Sequence, residues 1–129
     1  MRRVVDASVV LKWFREEEGT AAALALRAAC EEGDVDVVVP HLLGPEVLNV
    51  AARRWRWPGD ALVGLVEALD RLPLRVQDPA LVHVARWAAA GLTAYDATYV
   101  ALAEATGCRV VTTDEQMLEV APALTARLA

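Results

Sequence analysis

Short β-branched runs alternate with helix-length segments from one end of this 129-residue chain to the other. Arg3-Val4-Val5, Val35 to Val39, Leu74-Arg75-Val76 and Arg109 to Thr113 read as strands, with an edge strand at Ala126-Arg127-Leu128. Thr20 is placed to cap a helix running through Cys30 to Gly33. A second helix starts between His41 and Pro45 and carries Glu46 and Arg53 towards Trp57, with Pro45 in its first turn. After the break at Pro58-Gly59-Asp60, the residues Leu62, Leu65, Val66 and Leu69 keep the spacing of one buried helical face. Asp78-Pro79 opens a further helix in cap-then-proline order, and Gly91 closes it. Tyr95 to Thr106 is helical up to Gly107, and Glu115 to Val120 forms a last short helix. Parallel strands need crossover connections, and helices are what fill them. The expected class is therefore α/β: one domain over residues 1–129, in three α/β/α layers around a central parallel sheet of four to five strands.

An apolar share of 56% and a mean hydropathy of +0.30 exclude a disordered chain. A chain of this size buries roughly two-thirds of its unfolded surface, enough for a core without staples. The longest charge-free runs, Val37 to Pro45 and Trp87 to Tyr95, are nine residues each, against the ~20 that a membrane-spanning helix requires. No signal peptide is expected, and Cys30 and Cys108 read as free thiols in a reducing, cytoplasmic setting. The net charge of −5 argues against binding nucleic acid through a blanket of positive charge. It leaves open a protein whose carboxylates hold metal while its cations are concentrated locally.

In open parallel sheets, ligands bind at the carboxyl ends of the strands. Asp6 and Asp114 follow the first and fourth strands, while Glu46 and Asp96 lie early in helices. Successive separations of 40, 50 and 18 residues mean that only the fold can bring the four together. Each has an ordinary reading as a helix cap or an N-terminal acid. Converged, they would repel one another unless a hard cation such as Mg²⁺ or Mn²⁺ neutralised them.

The stretch Val4-Val5-Asp6-Ala7-Ser8-Val9-Val10-Leu11-Lys12-Trp13-Phe14 resembles the opening of PIN-domain proteins, especially VapC-type toxins. Three further segments are similar to the later motifs of that family, in order. They are Pro40 to Val50 around Glu46, Leu92 to Ala103 around Asp96, and Val110-Val111-Thr112-Thr113-Asp114. The resemblance implies a PIN-like fold and an Mg²⁺- or Mn²⁺-dependent ribonuclease whose metal site comprises Asp6, Glu46, Asp96 and Asp114. It also implies supporting roles for Ser8 and Thr112, whose ordinary readings are a helix cap and a β-branched strand residue. A homodimer silenced by a cognate antitoxin protein is implied as well.

Arg53-Arg54-Trp55-Arg56-Trp57 is the one basic cluster interleaved with aromatics. Arg53, Arg54 and Arg56 are candidates for RNA or antitoxin binding, or else form a solvated helix end. His41 and His83 fall in no motif. A phosphoryl-accepting receiver domain is a poor reading, because the only lysine, Lys12, lies early in the chain. The rival of another class is a PIN-like module that binds RNA or protein without cleaving.

Overall fold

The computed structural model describes all residues, 1–129. Five strands form one parallel sheet in the order β3-β2-β1-β4-β5: β1 Arg2–Val5, β2 Asp36–Val39, β3 Arg75–Val76, β4 Arg109–Thr112 and β5 Thr125–Arg127. Seven helices complete the three α/β/α layers. They are α1 Ala7–Val10, α2 Thr20–Glu31, α3 Leu43–Arg53, α4 Gly59–Asp70, α5 Leu81–Ala89, α6 Ala94–Thr106 and α7 Glu115–Val120. Single 3₁₀ turns follow α1 and α7. No helix is long and apolar enough to cross a membrane.

Sheet growth reverses at β1, because the chain adds β2 and β3 on one side and then crosses to add β4 and β5 on the other. The inner strands are runs of valine (Val4, Val5, Val37, Val38, Val110) that are fully buried, as strands covered on both faces must be. Helix α6 packs against β1, β4 and α5, and buries Ala97, Tyr99, Val100, Ala101, Leu102 and Ala103. The near-continuous burial reflects a helix covered from several sides. Gly107 ends α6 at φ 68°, a left-handed conformation that costs glycine little.

Three local expectations are corrected. Thr20 does not cap α2; the cap position is Gly19 at φ 85°, and the Thr20 hydroxyl instead bonds the Glu17 backbone. Asp78 does not cap α5, whose cap position is Ala80. Its carboxylate accepts from the His41 amide (2.9 Å) and faces His41 Nδ1 (2.7 Å), tying the end of β2 to the end of β3. The α4 face is only partly covered: Leu65 is buried, but Val66 is exposed along with Val63. Cys30 and Cys108 are free.

Leu102→Ala should destabilise the fold by about 2–5 kcal/mol, because a fully buried side chain leaves a cavity. Val63→Ala, at an exposed position, should stay within about 0.5 kcal/mol. Urea unfolding with an unchanged slope checks both.

Candidate active site

The reversal of sheet growth places the carboxyl ends of β1 and β4 side by side, the position where open α/β sheets bind ligands. In the parallel register Val5 faces Val111, so Asp6 and Thr112 leave the two strands as neighbours. The Thr112 hydroxyl donates to Asp6 Oδ2 at 2.5 Å, and the Ser8 hydroxyl donates to Oδ1 at 2.6 Å. Each hydroxyl oxygen accepts a backbone amide in turn, Thr113 N–H on Ser8 and Asp114 N–H on Thr112. Each hydroxyl proton is thereby left for the carboxylate. Asp6 Oδ1 also accepts from Val9 N–H, so Asp6 rather than Ser8 is the cap of α1. The side chain is buried. Burial raises its pKa to about 6 despite the Ser8, Thr112 and Val9 hydrogen bonds, which favour the charged form, and Asp96 adds to the rise.

The other three acids come from three helices or their caps. Glu46 sits half-buried in the first turn of α3, a helix that buries Leu43, Val47 and Ala51. Its Oε1 accepts from the Tyr99 hydroxyl at 2.6 Å. Thr93 caps α6 by accepting from the Asp96 amide, which holds Asp96 in the first turn. Asp114 caps α7 through Oδ1, accepting from Met117 N–H at 2.8 Å. Asp96 is the electrostatic centre of the group. Its own pKa is raised by burial and then by the Asp114 charge, and its charge in turn raises those of Glu46 and Asp6. Burial is the larger cause at both of those residues.

Asp96 thus links the other three acids electrostatically, yet no three acidic, histidine or cysteine side chains stand close enough to form a closed metal cage. The fit to a hard divalent ion rests on donor type, carboxylate oxygens alone, and not on a closed cage. Mg²⁺ commonly takes one or two carboxylates and keeps several waters, leaving positions for substrate oxygens. All-oxygen donors in mutual repulsion suit such a hard ion. They do not suit a four-ligand zinc site.

Arg54 lines a cavity of about 360 Å³ together with Ser8, Lys12, Glu17, Trp55 and Thr113, directly beside the Asp6 network. Arg53 ends α3 and Arg56 lies beyond it at φ 60°; both are exposed and neither lines this cavity. Trp55 packs on Trp57 with ring centroids 5.2 Å apart, and Arg15 lies over the Trp55 ring. Two contributors escape a reading based on the acids alone: Thr93 and Tyr99. The Thr93-Ala94-Tyr95-Asp96 spacing of a capping motif signals the first. For Tyr99 the only sequence signal is its place three residues after Asp96 on the same helix.

A family model described as PIN domain matches residues 3–122 of the chain. Ribonuclease VapC3 of Pyrobaculum aerophilum is 33% identical over 135 residues, spanning 96% of this chain and 98% of that protein. Among solved structures, PAE2754 from Pyrobaculum aerophilum superimposes with a TM-score of 0.72 at 25% identity, over 99% of this chain and 90% of the other. VapC20 of Mycobacterium tuberculosis, a sarcin–ricin loop cleaving toxin, gives a TM-score of 0.70 at 16% identity over 91% and 93%. FitAcB from Neisseria gonorrhoeae gives 0.68 at 18% over 98% and 96%. The last two likenesses are ones of fold.

The raised pKa of Asp6 gives the metal-free protein a signed pH dependence. Between its unfolded value of 3.8 and its folded value of about 6, the folded state holds more protons than the unfolded state. Its contribution is full below pH ~4 and is lost as pH rises through 6, by about 3 kcal/mol for a shift of about two units. Denaturant unfolding from pH 4 to 7 should show wild type losing more stability than Asp6→Asn across that window. Identical pH profiles for the two proteins would contradict the assignment.

Proposed function

The chain belongs to the PIN domain family, and on that premise we propose that it is a VapC-type ribonuclease, the toxin of a toxin–antitoxin pair. The observation that carries the reading is the coupling of Asp6, Glu46 and Asp114 through Asp96 at the reversal point of the sheet. The alternative, a PIN-like module that binds without cleaving, has no missing acid or substituted donor in its favour.

Asp6, Glu46, Asp96 and Asp114 would hold one or more divalent cations, Mg²⁺ or Mn²⁺. When bound, such an ion supplies a water of lowered pKa and neutralises charge on a phosphodiester. Asp6 contributes a carboxylate whose orientation is set on both oxygens, so its negative charge stays fixed at the carboxyl ends of β1 and β4. Asp114 keeps Oδ2 available while Oδ1 anchors α7, and Glu46 keeps Oε2 available while Oε1 takes the Tyr99 proton. Asp96 stands in the fields of its neighbours, where its charge is most useful to a cation and most costly without one. Arg54 offers the nearby bidentate guanidinium that an approaching RNA phosphate needs in an otherwise acidic protein. Arg53 and Arg56 extend the same basic segment.

The protein partners in this reading are a second copy of the chain and an antitoxin. Large apolar side chains left exposed, among them Val63, Val76, Leu81, Val82 and Tyr95, support protein–protein contact. A cytoplasmic setting follows from an RNA substrate and two free thiols.

Purified protein incubated with single-stranded RNA and Mn²⁺ should cleave it, and EDTA should abolish the reaction. Asp96→Asn should lower the rate by at least about 10²-fold, the scale of losing a group that stabilises the transition state. Cleavage that persists in EDTA, or in Asp96→Asn at the wild-type rate, contradicts the mechanism. In the cleavage-dead Asp96→Asn background, Arg54→Ala should flatten the salt dependence of RNA affinity by about 0.7 in log–log slope, one phosphate contact on a single strand. Slopes measured for Arg53→Ala and Arg56→Ala separate direct contact at the cavity from general attraction by the basic segment.

A further inference from the structure

Tyr99 is 1% exposed and its phenol lies deep in the α6 packing, where a phenylalanine would fill the same space. A hydroxyl taken out of water costs free energy unless it is bonded. Its bond goes to Glu46 Oε1, at 2.6 Å, and reaches from α6 to a residue 53 positions earlier on α3. The phenol also stands in the fields of Asp6 and Asp96, so it is surrounded by three of the four acids. Burial and the Glu46 hydrogen bond both raise its pKa, keeping it a donor.

We propose that Tyr99 is a positioning residue, which fixes the Glu46 side chain so that Oε2 faces a divalent cation. The inference rests on the metal-dependent reading given above. A free glutamate must surrender rotational freedom on binding an ion, and a short charge-assisted hydrogen bond makes that loss part of folding instead. The Tyr99 donor engages Oε1 and no other side chain engages Oε2, so Oε2 is the oxygen that would be offered to an ion. Helix α6 then serves the centre twice, with Asp96 as a direct participant and Tyr99 acting through Glu46 from the next turn.

Isothermal titration with Mn²⁺, without RNA, tests this on wild type, Tyr99→Phe, Glu46→Gln and the double variant. Tyr99→Phe should bind Mn²⁺ about 10–100-fold more weakly, the usual consequence of removing a partner that orients a ligand. The double variant should bind no more weakly than Glu46→Gln alone. Wild-type affinity in Tyr99→Phe overturns the proposal while leaving the metal reading intact. A further loss in the Glu46→Gln background shows that Tyr99 does not act through Glu46, which also overturns it. No Mn²⁺ binding by wild type overturns the metal reading and the proposal together. A readout that needs no substitution comes from the tyrosines, of which the chain has two, Tyr95 being exposed. In tyrosine ring-carbon NMR, Mg²⁺ should move the buried Tyr99 signal and leave Tyr95 in place. A Tyr99 signal that stays still while Mg²⁺ binds counts against the proposal.

Discussion

Both oxygens of Asp6 accept hydroxyl protons whose direction is set by backbone amides just beyond the neighbouring strand, and the site is built outward from that arrangement. Thr112 reaches Asp6 because β1 and β4 pair in parallel with Val5 opposite Val111. Ser8 reaches it because α1 begins at once after β1, with Asp6 as its cap. The amides of Thr113 and Asp114 complete the loop, so the backbone that positions Asp114 also orients the donors to Asp6. A slip of one residue between β1 and β4 would turn Thr112 to the other face of the sheet and open the network.

The cost of the arrangement is electrostatic. Burial raises the pKa values of Asp6, Glu46 and Asp96, and Asp96 adds to the rise at the other two. Groups of like charge held together in this way oppose folding at neutral pH in the absence of a counter-ion. The valine-rich strands and the deeply buried α6 supply the stability against which that opposition is set. Stability and function are therefore expected to draw on the same residues with opposite sign.

The strand–helix order was legible because valine runs and helix punctuation agree with the topology along most of the chain. It extended to the short edge strand, found at Thr125–Arg127 rather than one residue later. The misreadings are of capping. Thr20 and Asp78 have the right residue type for a cap, but local turn geometry gives Thr20 to the Glu17 backbone, and a tertiary partner, His41, takes Asp78. Strand-end position nominated Asp6 and Asp114, but only the family resemblance set the four acids apart from ordinary caps, since Asp6 and Asp114 truly are helix caps as well. For these two residues, the ordinary role and the proposed one use the same side chain. The Tyr99–Glu46 bond was not legible, because nothing in the sequence tells a buried tyrosine which acid it will meet. The selection of Arg54 over its neighbours likewise depends on where α3 ends.

The central claim is that the four carboxylates, coupled through Asp96, repel one another and that a divalent cation relieves the repulsion. Thermal unfolding at pH 7.5, with and without Mn²⁺, of wild type and Asp96→Asn tests it most directly. Without metal, Asp96→Asn should melt higher than wild type, because the charge at the centre of the group is gone. With Mn²⁺, wild type should gain stability by linkage, about 2.7 kcal/mol at a hundredfold excess over the dissociation constant, and Asp96→Asn should gain far less. Equal melting temperatures without metal and equal gains with it would contradict the claim.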